Sequence, residues 1–153
     1  MDGELPCASQ EGKDIFACYV DGEPYVAAVT FKPGGVYKVH MTYNDISGQI
    51  DIAGNRDTEN DQNEFISFRI FATNGAGTYP MTAYTPSDDT GYLNIHTAKE
   101  YFHDSTNVGS VNVTKIDSDI RFISGTFEML LINSAYYPDS TMSITDGRFD
   151  VRY

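Results

Sequence analysis

Residues 120–131 read IRFISGTFEMLL and residues 142–153 read MSITDGRFDVRY, and these two stretches decide the fold. Both alternate apolar with polar residues, but the phase of the alternation changes at Gly125 in the first stretch and at Gly147 in the second. Because strand side chains alternate between two faces, a phase change that keeps one face buried requires an extra residue, which is a β-bulge. We therefore predict two long strands, each with a bulge at its glycine.

The spacing of the two stretches predicts that they pair as a hairpin centred on Tyr136. In that register Gly125 and Gly147 face each other, and both strands bend at the same place. Coincident bends let antiparallel sheets coil into barrels or turn corners between layers. The end of the chain therefore predicts a curved β architecture.

Strand signals recur along the rest of the chain with turn signals between them, as is typical of an all-β sandwich or barrel. Asp21-Gly22 predicts a tight hairpin, and Pro80 places its strand at a sheet edge because proline cannot donate a hydrogen bond to a ladder. No long stretch has the apolar period of a helix. We predict a loose N-terminal segment over residues 1–14 and a single β domain over residues 15–153.

The predicted fold is all-β: an antiparallel meander of about nine or ten strands. Two architectures fit such a meander, a coiled, lipocalin-like barrel and a two-sheet β-sandwich. The coincident bends favour the barrel.

Composition narrows the function classes. A chain of 153 residues, with 11 Tyr and 9 Phe, is long enough for one domain with a substantial aromatic core. The formal net charge of -12 repels phosphate backbones and anionic lipids, so we predict no nucleic-acid partner. The apolar runs are far shorter than the roughly 20 residues of a membrane helix.

No catalytic or cofactor motif is present: the sequence has no nucleophile elbow, phosphate-binding loop or dinucleotide fingerprint. We predict no catalytic residues, no cofactor and no enzymatic activity. A hydrolase that uses loop carboxylates is an alternative, although the sequence does not select a pair of acids.

The densest group of carboxylates is Asp57, Glu59, Asp61 and Glu64, whose alternating oxygens are candidate ligands for calcium. The pattern departs from an EF-hand because Gln62 stands where that loop has glycine. The competing interpretation is a solvated acidic loop.

Tyr136, Tyr137 and Asp139 are the candidate ligand-binding residues, since two aromatic rings in a hairpin loop suit contact with a sugar or a protein. The competing interpretation is that the rings fold back over a barrel mouth. A bridge between Cys7 and Cys18 is open, but Cys18 has the surroundings of an ordinary buried strand thiol.

Motifs at both ends support a resemblance. The chain reads LPCASQEGKDIFACYVDG from Leu5, ISGTFE from Ile123 and ITDGRFDV from Ile144. These motifs resemble a family of short Bacteroidota envelope lipoproteins of unknown function, although Cys7 stands where that family commonly has a second proline. The resemblance implies a lipid-anchored protein of the periplasm or cell surface, with its signal peptide and anchoring cysteine upstream of this chain. It implies no catalytic residue.

The sequence therefore favours a non-enzymatic module of the cell envelope that binds an unknown protein, glycan or small ligand and touches the membrane only through an upstream lipid anchor. An alternative is a carrier whose barrel cavity holds a small apolar ligand. The hydrolase is the third hypothesis.

Overall fold

The computed structural model describes residues 4–28, 37–57, 63–81, 92–95, 99–103, 109–132 and 141–153. In these ranges the chain is all-β, as predicted, and contains no helix. The eleven strands are β1 (Ile15–Val20), β2 (Glu23–Val26), β3 (Val39–Asn44), β4 (Gln49–Asp57), β5 (Asn63–Phe71), β6 (Gly77–Pro80), β7 (Tyr92–Ile95), β8 (Lys99–His103), β9 (Ser110–Asp117), β10 (Phe122–Ile132) and β11 (Thr141–Arg152). The described residues therefore contain no membrane-spanning helix.

Nine of these strands form two antiparallel sheets, one of six strands and one of three. The larger sheet has the order β2-β1-β11-β10-β9-β6, and the smaller has the order β5-β4-β3. β7 and β8 connect them, because β7 pairs with β5 and β8 pairs with the end of β10. The architecture is sandwich-like.

The preference for a closed barrel was wrong. The ladder of described strands ends at β2 and β3, and only an isolated parallel bridge, Ala28 to Arg56, joins the neighbourhood of β2 to β4. The strand order also departs from a simple meander, since β1 pairs with β11 from the opposite end of the chain. Pairing of the first and last strands fixes both ends of the domain in one sheet.

Aromatic rings fill the space between the two sheets. Phe127 of β10 lies with its ring centroid 5.0 Å from that of Phe16 and 5.0 Å from that of Phe68. Phe149 of β11 lies 6.0 Å from Phe68. All four rings are buried, and they come from both sheets. Ring spacings of this size are those of favourable aromatic packing.

The glycines of the decisive stretches make room for these rings. Gly125 lies opposite Phe149, and Gly147 lies opposite Phe127. A Cβ on Gly125 would lie 2.7 Å from a ring carbon of Phe149, and one on Gly147 would lie 2.6 Å from a ring carbon of Phe127. The prediction that the two glycines face each other was therefore wrong by two residues. Each glycine instead faces a phenylalanine whose ring lies over it.

The bulge predicted at Gly147 is confirmed: Thr145 and Asp146 of β11 stand opposite Glu128 alone. Asp146 has a φ of 51°, the left-handed conformation common at the first position of such bulges. A register shift also lies at Gly125, but in the pairing of β10 with β9; β10 pairs with β11 there without interruption, so the prediction that β10 carries the extra residue was wrong. The extra residue is Thr114, on the neighbouring strand β9.

Three smaller predictions concern turns, edges and thiols. Asp21 and Gly22 form the β1–β2 turn with φ values of 48° and 86°, which fits the predicted tight hairpin. Pro80 lies in β6, at the edge of the six-stranded sheet among the described strands. Cys7 and Cys18 are both free; Cys18 is buried, and that burial raises the pKa of its thiol to about 12, against the opposing effect of Arg56.

Candidate functional site

The N-terminal segment lies across the outer face of the six-stranded sheet, and we call residues 4–14 the strap. Its anchor is Asp150 of β11, which is 1% exposed. The Asp150 carboxylate accepts hydrogen bonds from the Ser9 hydroxyl and from the backbone N–H groups of Glu11 (3.0 Å), Gly12 (2.8 Å) and Lys13 (3.1 Å). The strap forms no strand, and these bonds tie residues 9–13 to β11.

The charge of Asp150 is stabilised by this cradle. Burial disfavours the ionised carboxyl, but the hydrogen bonds from Ser9 and from the three backbone groups outweigh that effect, so the pKa of Asp150 lies below its ordinary value. Gly12 has a φ of 69°, which turns the strap backbone so that its N–H groups converge on the carboxylate. Asp150 is therefore the buried anchor of residues 9–13, while Arg148 binds the Pro6 carbonyl and the Arg152 N–H binds the Asp14 carboxylate at the two ends of the strap.

A small apolar contact lies beside Asp150 under the strap. Phe122 is fully buried, yet its side chain lies on the opposite face of β10 from Ile123 and the interior rings. A Cβ on Gly12 would lie 3.2 Å from the Phe122 Cβ, so the strap covers this residue directly. This contact explains the phase change near Gly125: Phe122 is buried on the outer face, and no bulge is needed in β10.

A trough runs over the outer face next to the strap, and we call it the outer trough. Its volume is about 570 Å³. Ala8 of the strap forms one wall, and a row of polar side chains crosses the floor. The lining side chains come from β6, β9, β10 and β11 and are mainly hydroxyl, amide or charged: Thr78, Ser110, Asn112, Thr126, Glu128, Asp146 and Arg148.

Strand register arranges four of these side chains in a line. Thr78 pairs with Asn112, Asn112 pairs with Thr126, and Thr126 pairs with Arg148. Since neighbouring strands lie about 4.8 Å apart, the line is about 14 Å long. Arg148 is fixed at its end, because its guanidinium donates to the backbone oxygens of Pro6 (3.0 Å) and Asp146 (3.3 Å).

Two further depressions continue the outer trough. One of about 370 Å³ shares Ser110 and Glu128 with it, and one of about 360 Å³ shares Ala8 and Thr126. The three together form an extended channel along the strands, polar at its centre and partly apolar where Met129, Leu130 and Ile144 line the second depression. An extended channel suits a chain-like ligand better than a compact one.

The predicted ligand-binding residues Tyr136, Tyr137 and Asp139 lie outside the described residues, and their role stays a prediction. The same holds for Glu59 and Asp61 of the predicted metal group. The other two members are described and lie on paired strands: Asp57 ends β4, and Glu64 lies near the start of β5. No cluster of three or more potential metal-ligating side chains occurs in the described ranges.

Glu64 has a structural partner. It is 3% exposed, and its carboxylate binds the Arg56 guanidinium at 2.6 Å. Arg56 also lies over the Tyr25 ring, 4.4 Å from its centroid, and the Tyr25 hydroxyl is 2.9 Å from the backbone oxygen of Gly54. Burial raises the pKa of Tyr25 far above its ordinary value. This buried group links β2 of the six-stranded sheet to β4 and β5 of the three-stranded sheet.

Neither the strap anchor nor the outer trough was predicted from the sequence. A weak indication of the trough was present in the sequence, because the polar residues of the alternating pattern in β9 are Ser110, Asn112 and Thr114. Asp150 had a signal too, since it is a charged residue in the middle of the closing motif. The two motifs that suggested the lipoprotein resemblance meet here, as Gly12 of the first binds Asp150 of the last.

In the comparisons with known proteins, no family model, no curated protein and no solved structure matches this chain.

Proposed function

We propose that this protein is a non-enzymatic binding module that holds a neutral, hydroxyl-rich ligand such as a glycan chain in the outer trough. The observation that carries the proposal is the line of Thr78, Asn112, Thr126 and Arg148 across four strands. Such a line offers hydrogen-bond donors and acceptors at regular intervals on a rigid sheet. Sugar hydroxyls are matching partners, because each both donates and accepts.

Charge favours a neutral ligand over an anionic one. The chain carries a formal net charge of -12, and the trough itself includes the carboxylates of Glu128 and Asp146. Arg148 is the cation among the lining side chains, and it already donates to two backbone oxygens. A polyanionic polysaccharide would meet unfavourable electrostatic potential along most of the trough.

The polar lining also bears on the alternative of an apolar-ligand carrier. Sites for apolar small molecules are lined mainly by hydrophobic side chains, whereas this trough presents hydroxyl, amide and charged groups. The centre of the sandwich, where a carrier would hold its ligand, is occupied by the rings of Phe16, Phe68, Phe127 and Phe149. Both observations favour a surface-binding module.

The alternative of a hydrolase requires two available carboxyl groups facing each other. The most deeply buried acids, Asp150 and Glu64, already accept hydrogen bonds from the strap and from Arg56 respectively. Those bonds suit structural roles. We therefore propose binding without catalysis.

The resemblance at the two ends of the chain supports placing this module in the cell envelope, at the periplasmic or outer surface. A lipid anchor upstream of this chain would then be its one membrane contact. A glycan-binding trough is consistent with that placement, since envelope surfaces are rich in polysaccharide.

The test is affinity gel electrophoresis of the whole chain through gels that contain neutral polysaccharides, with anionic polysaccharides in parallel gels. We expect retardation by at least one neutral polymer, and a double variant Asn112→Ala/Thr126→Ala should bind about tenfold more weakly because two ligand hydrogen-bonding groups are lost. The matched control is His40→Ala/Thr42→Ala on the solvent face of β3, which should bind as the wild type does. Retardation only by anionic polymers, none by any neutral polymer, or equal binding by the trough variant would overturn the proposal.

A further inference from the structure

Two turns lie side by side at one end of the sandwich, away from the outer trough's lining residues. They are residues 45–48, between β3 and β4, and residues 118–121, between β9 and β10. Tyr153 lies between them: its ring is 5.1 Å from the Tyr43 ring, and its N–H donates to the Arg121 carbonyl at 3.1 Å. The packing of Tyr153 against Tyr43, just before the first turn, and its hydrogen bond to Arg121, in the second, bring the two turns to the same end of the sandwich.

Each turn presents an isoleucine to solvent. Ile46 is 94% exposed and Ile120 is 62% exposed. Turn positions usually hold Gly, Asn, Asp, Ser or Pro, so a β-branched apolar residue at the tip of both neighbouring turns lacks a local conformational reason. We call residues 45–48 and 118–121 together the isoleucine tip.

Both turns are held by hydrogen bonds from their own backbone to the side chain that precedes them. The Asn44 side-chain oxygen accepts from the N–H groups of Ile46 (3.0 Å) and Ser47 (3.1 Å). In the same way, an Asp117 carboxylate oxygen accepts from the N–H groups of Asp119 (3.1 Å) and Ile120 (3.2 Å). A preorganised surface loses little conformational entropy on binding, which favours a specific contact.

The charges around the two isoleucines indicate the partner. Asp117 has its own cation, since Lys115 Nζ lies 3.3 Å from its carboxylate, and the Arg121 guanidinium lies over the Tyr153 ring at 5.3 Å. Asp45 and Asp119 flank the isoleucines and form no salt bridge with the described side chains. A second copy of the chain would bring like charges to the same place, and anionic lipid would also be repelled.

We propose that the isoleucine tip is a docking surface for a basic amphipathic segment of a partner protein, with an apolar face bordered by Lys or Arg. The two isoleucines contact the apolar face, and the partner's cations face Asp45 and Asp119. This interface is independent of the glycan trough, because the trough residues lie on the strap and on β6, β9, β10 and β11, and none belongs to the tip.

The test uses two synthetic amphipathic helical peptides with the same Leu-rich face, one with Lys at its polar positions and the other with Glu. The whole chain is labelled at its isoleucine methyl groups, and each peptide is titrated by NMR. We expect the Lys peptide to shift the Ile46 and Ile120 methyl signals while the buried Ile50 and Ile70 signals stay in place, and the Glu peptide to shift none.

Variants distinguish binding at the isoleucine tip from nonspecific attraction of a cationic peptide to an acidic protein. Ile46→Ser/Ile120→Ser and Asp45→Asn/Asp119→Asn should each weaken the Lys peptide at least about tenfold. The matched controls are Val26→Ser, an exposed apolar residue on β2, and Glu4→Gln/Glu23→Gln, which removes the same number of charges elsewhere. The controls should bind as the wild type does.

Four results would overturn the proposal: no shift of the tip methyls by the Lys peptide, equal shifts by both peptides, equal loss in the control variants, or undiminished binding by the tip variants. Binding of phosphatidylcholine vesicles that is lost in the isoleucine variant would assign the tip to lipid. A concentration-dependent dimer lost in the same variant would assign it to a second copy. Either of these two results would also overturn the proposal.

Discussion

The two faces of the six-stranded sheet share the same strands but are stabilised by different interactions. The inner face packs Phe127 and Phe149 over glycines of the neighbouring strand, and its stability comes from apolar burial. The outer face is held by a carboxylate, Asp150, to which a segment without regular structure donates four hydrogen bonds. The alternation of apolar and polar residues along the sequence therefore predicts the packing of the inner face, but it does not predict the contacts of the outer face.

The inner face should show the largest effect of a single substitution. Phe127→Ala removes a ring that contacts Phe16, Phe68 and Phe149 and leaves a cavity between the sheets. We expect the free energy of unfolding to fall by about 3–5 kcal/mol, measured by urea denaturation. Phe71→Ala, at a side chain that is 44% exposed, is the control and should cost less than about 1 kcal/mol. Similar losses for the two variants would mean that the Phe127 ring is not in a packed interior.

On the outer face the most sensitive residue should be Asp150. Asp150→Asn keeps the shape of the side chain but removes the negative charge that four donors share. Because hydrogen bonds to a charged group are worth about 1.5–3 kcal/mol, we expect a loss of about 2–3 kcal/mol in the free energy of unfolding. Asp119→Asn, in an exposed turn, is the matched control and should be nearly neutral. A neutral Asp150→Asn variant would show that the strap is not anchored at this carboxylate.

Ser9 should contribute less than Asp150 to the free energy of unfolding, and its contribution should depend on the charge of Asp150. Ser9→Ala removes one donor to Asp150 and should cost about 1–2 kcal/mol in the wild type. In the Asp150→Asn background the same change should cost much less, because the charged acceptor is already gone. A double-mutant cycle by urea denaturation measures this coupling. Additive costs would show that the two side chains act independently.

Low pH should reduce the difference in the free energy of unfolding between the wild type and Asp150→Asn. The folded-state pKa of Asp150 is lowered, so its ionisation contributes stability that is fully present above the ordinary Asp pKa of about 3.9. That contribution is lost as the pH falls through the lowered folded-state pKa. The difference between the urea midpoints of the two proteins should therefore be constant from about pH 7 to pH 5 and become smaller as the pH approaches about 3. A difference that stays constant down to about pH 3 would contradict a charge-based anchor.

The sequence predicted the fold class because local patterns dominate it. Alternation identified the strands, Asp21-Gly22 identified the first hairpin, and the second phase change identified the bulge beside Gly147. The phase change near Gly125 led to a wrong prediction of an extra residue in β10, because Phe122 is buried by the strap and not in the interior between the sheets. The barrel prediction failed with it, since the coincident bends depended on the two glycines facing each other.

The candidate site was harder to predict because its parts are distant in the sequence. The row from Thr78 to Arg148 exists only through the register of four strands, which alternation within one strand does not specify. The strap donates mainly through backbone N–H groups, which carry no residue-type signal. The exposed isoleucines at 46 and 120 were visible as residues, but their proximity depends on how Tyr43 and Tyr153 pack.

Amide hydrogen exchange of the strap tests the central claim most directly, because the N–H groups of Glu11, Gly12 and Lys13 are bonded to Asp150 alone among the described acceptors. We predict that these three amides are protected in the wild type and exchange freely in Asp150→Asn, while core amides of β10 and β11 keep their protection. Free exchange of the three strap amides in the wild type, or unchanged protection in the variant, would contradict an anchor of residues 9–13 at the buried Asp150 carboxylate.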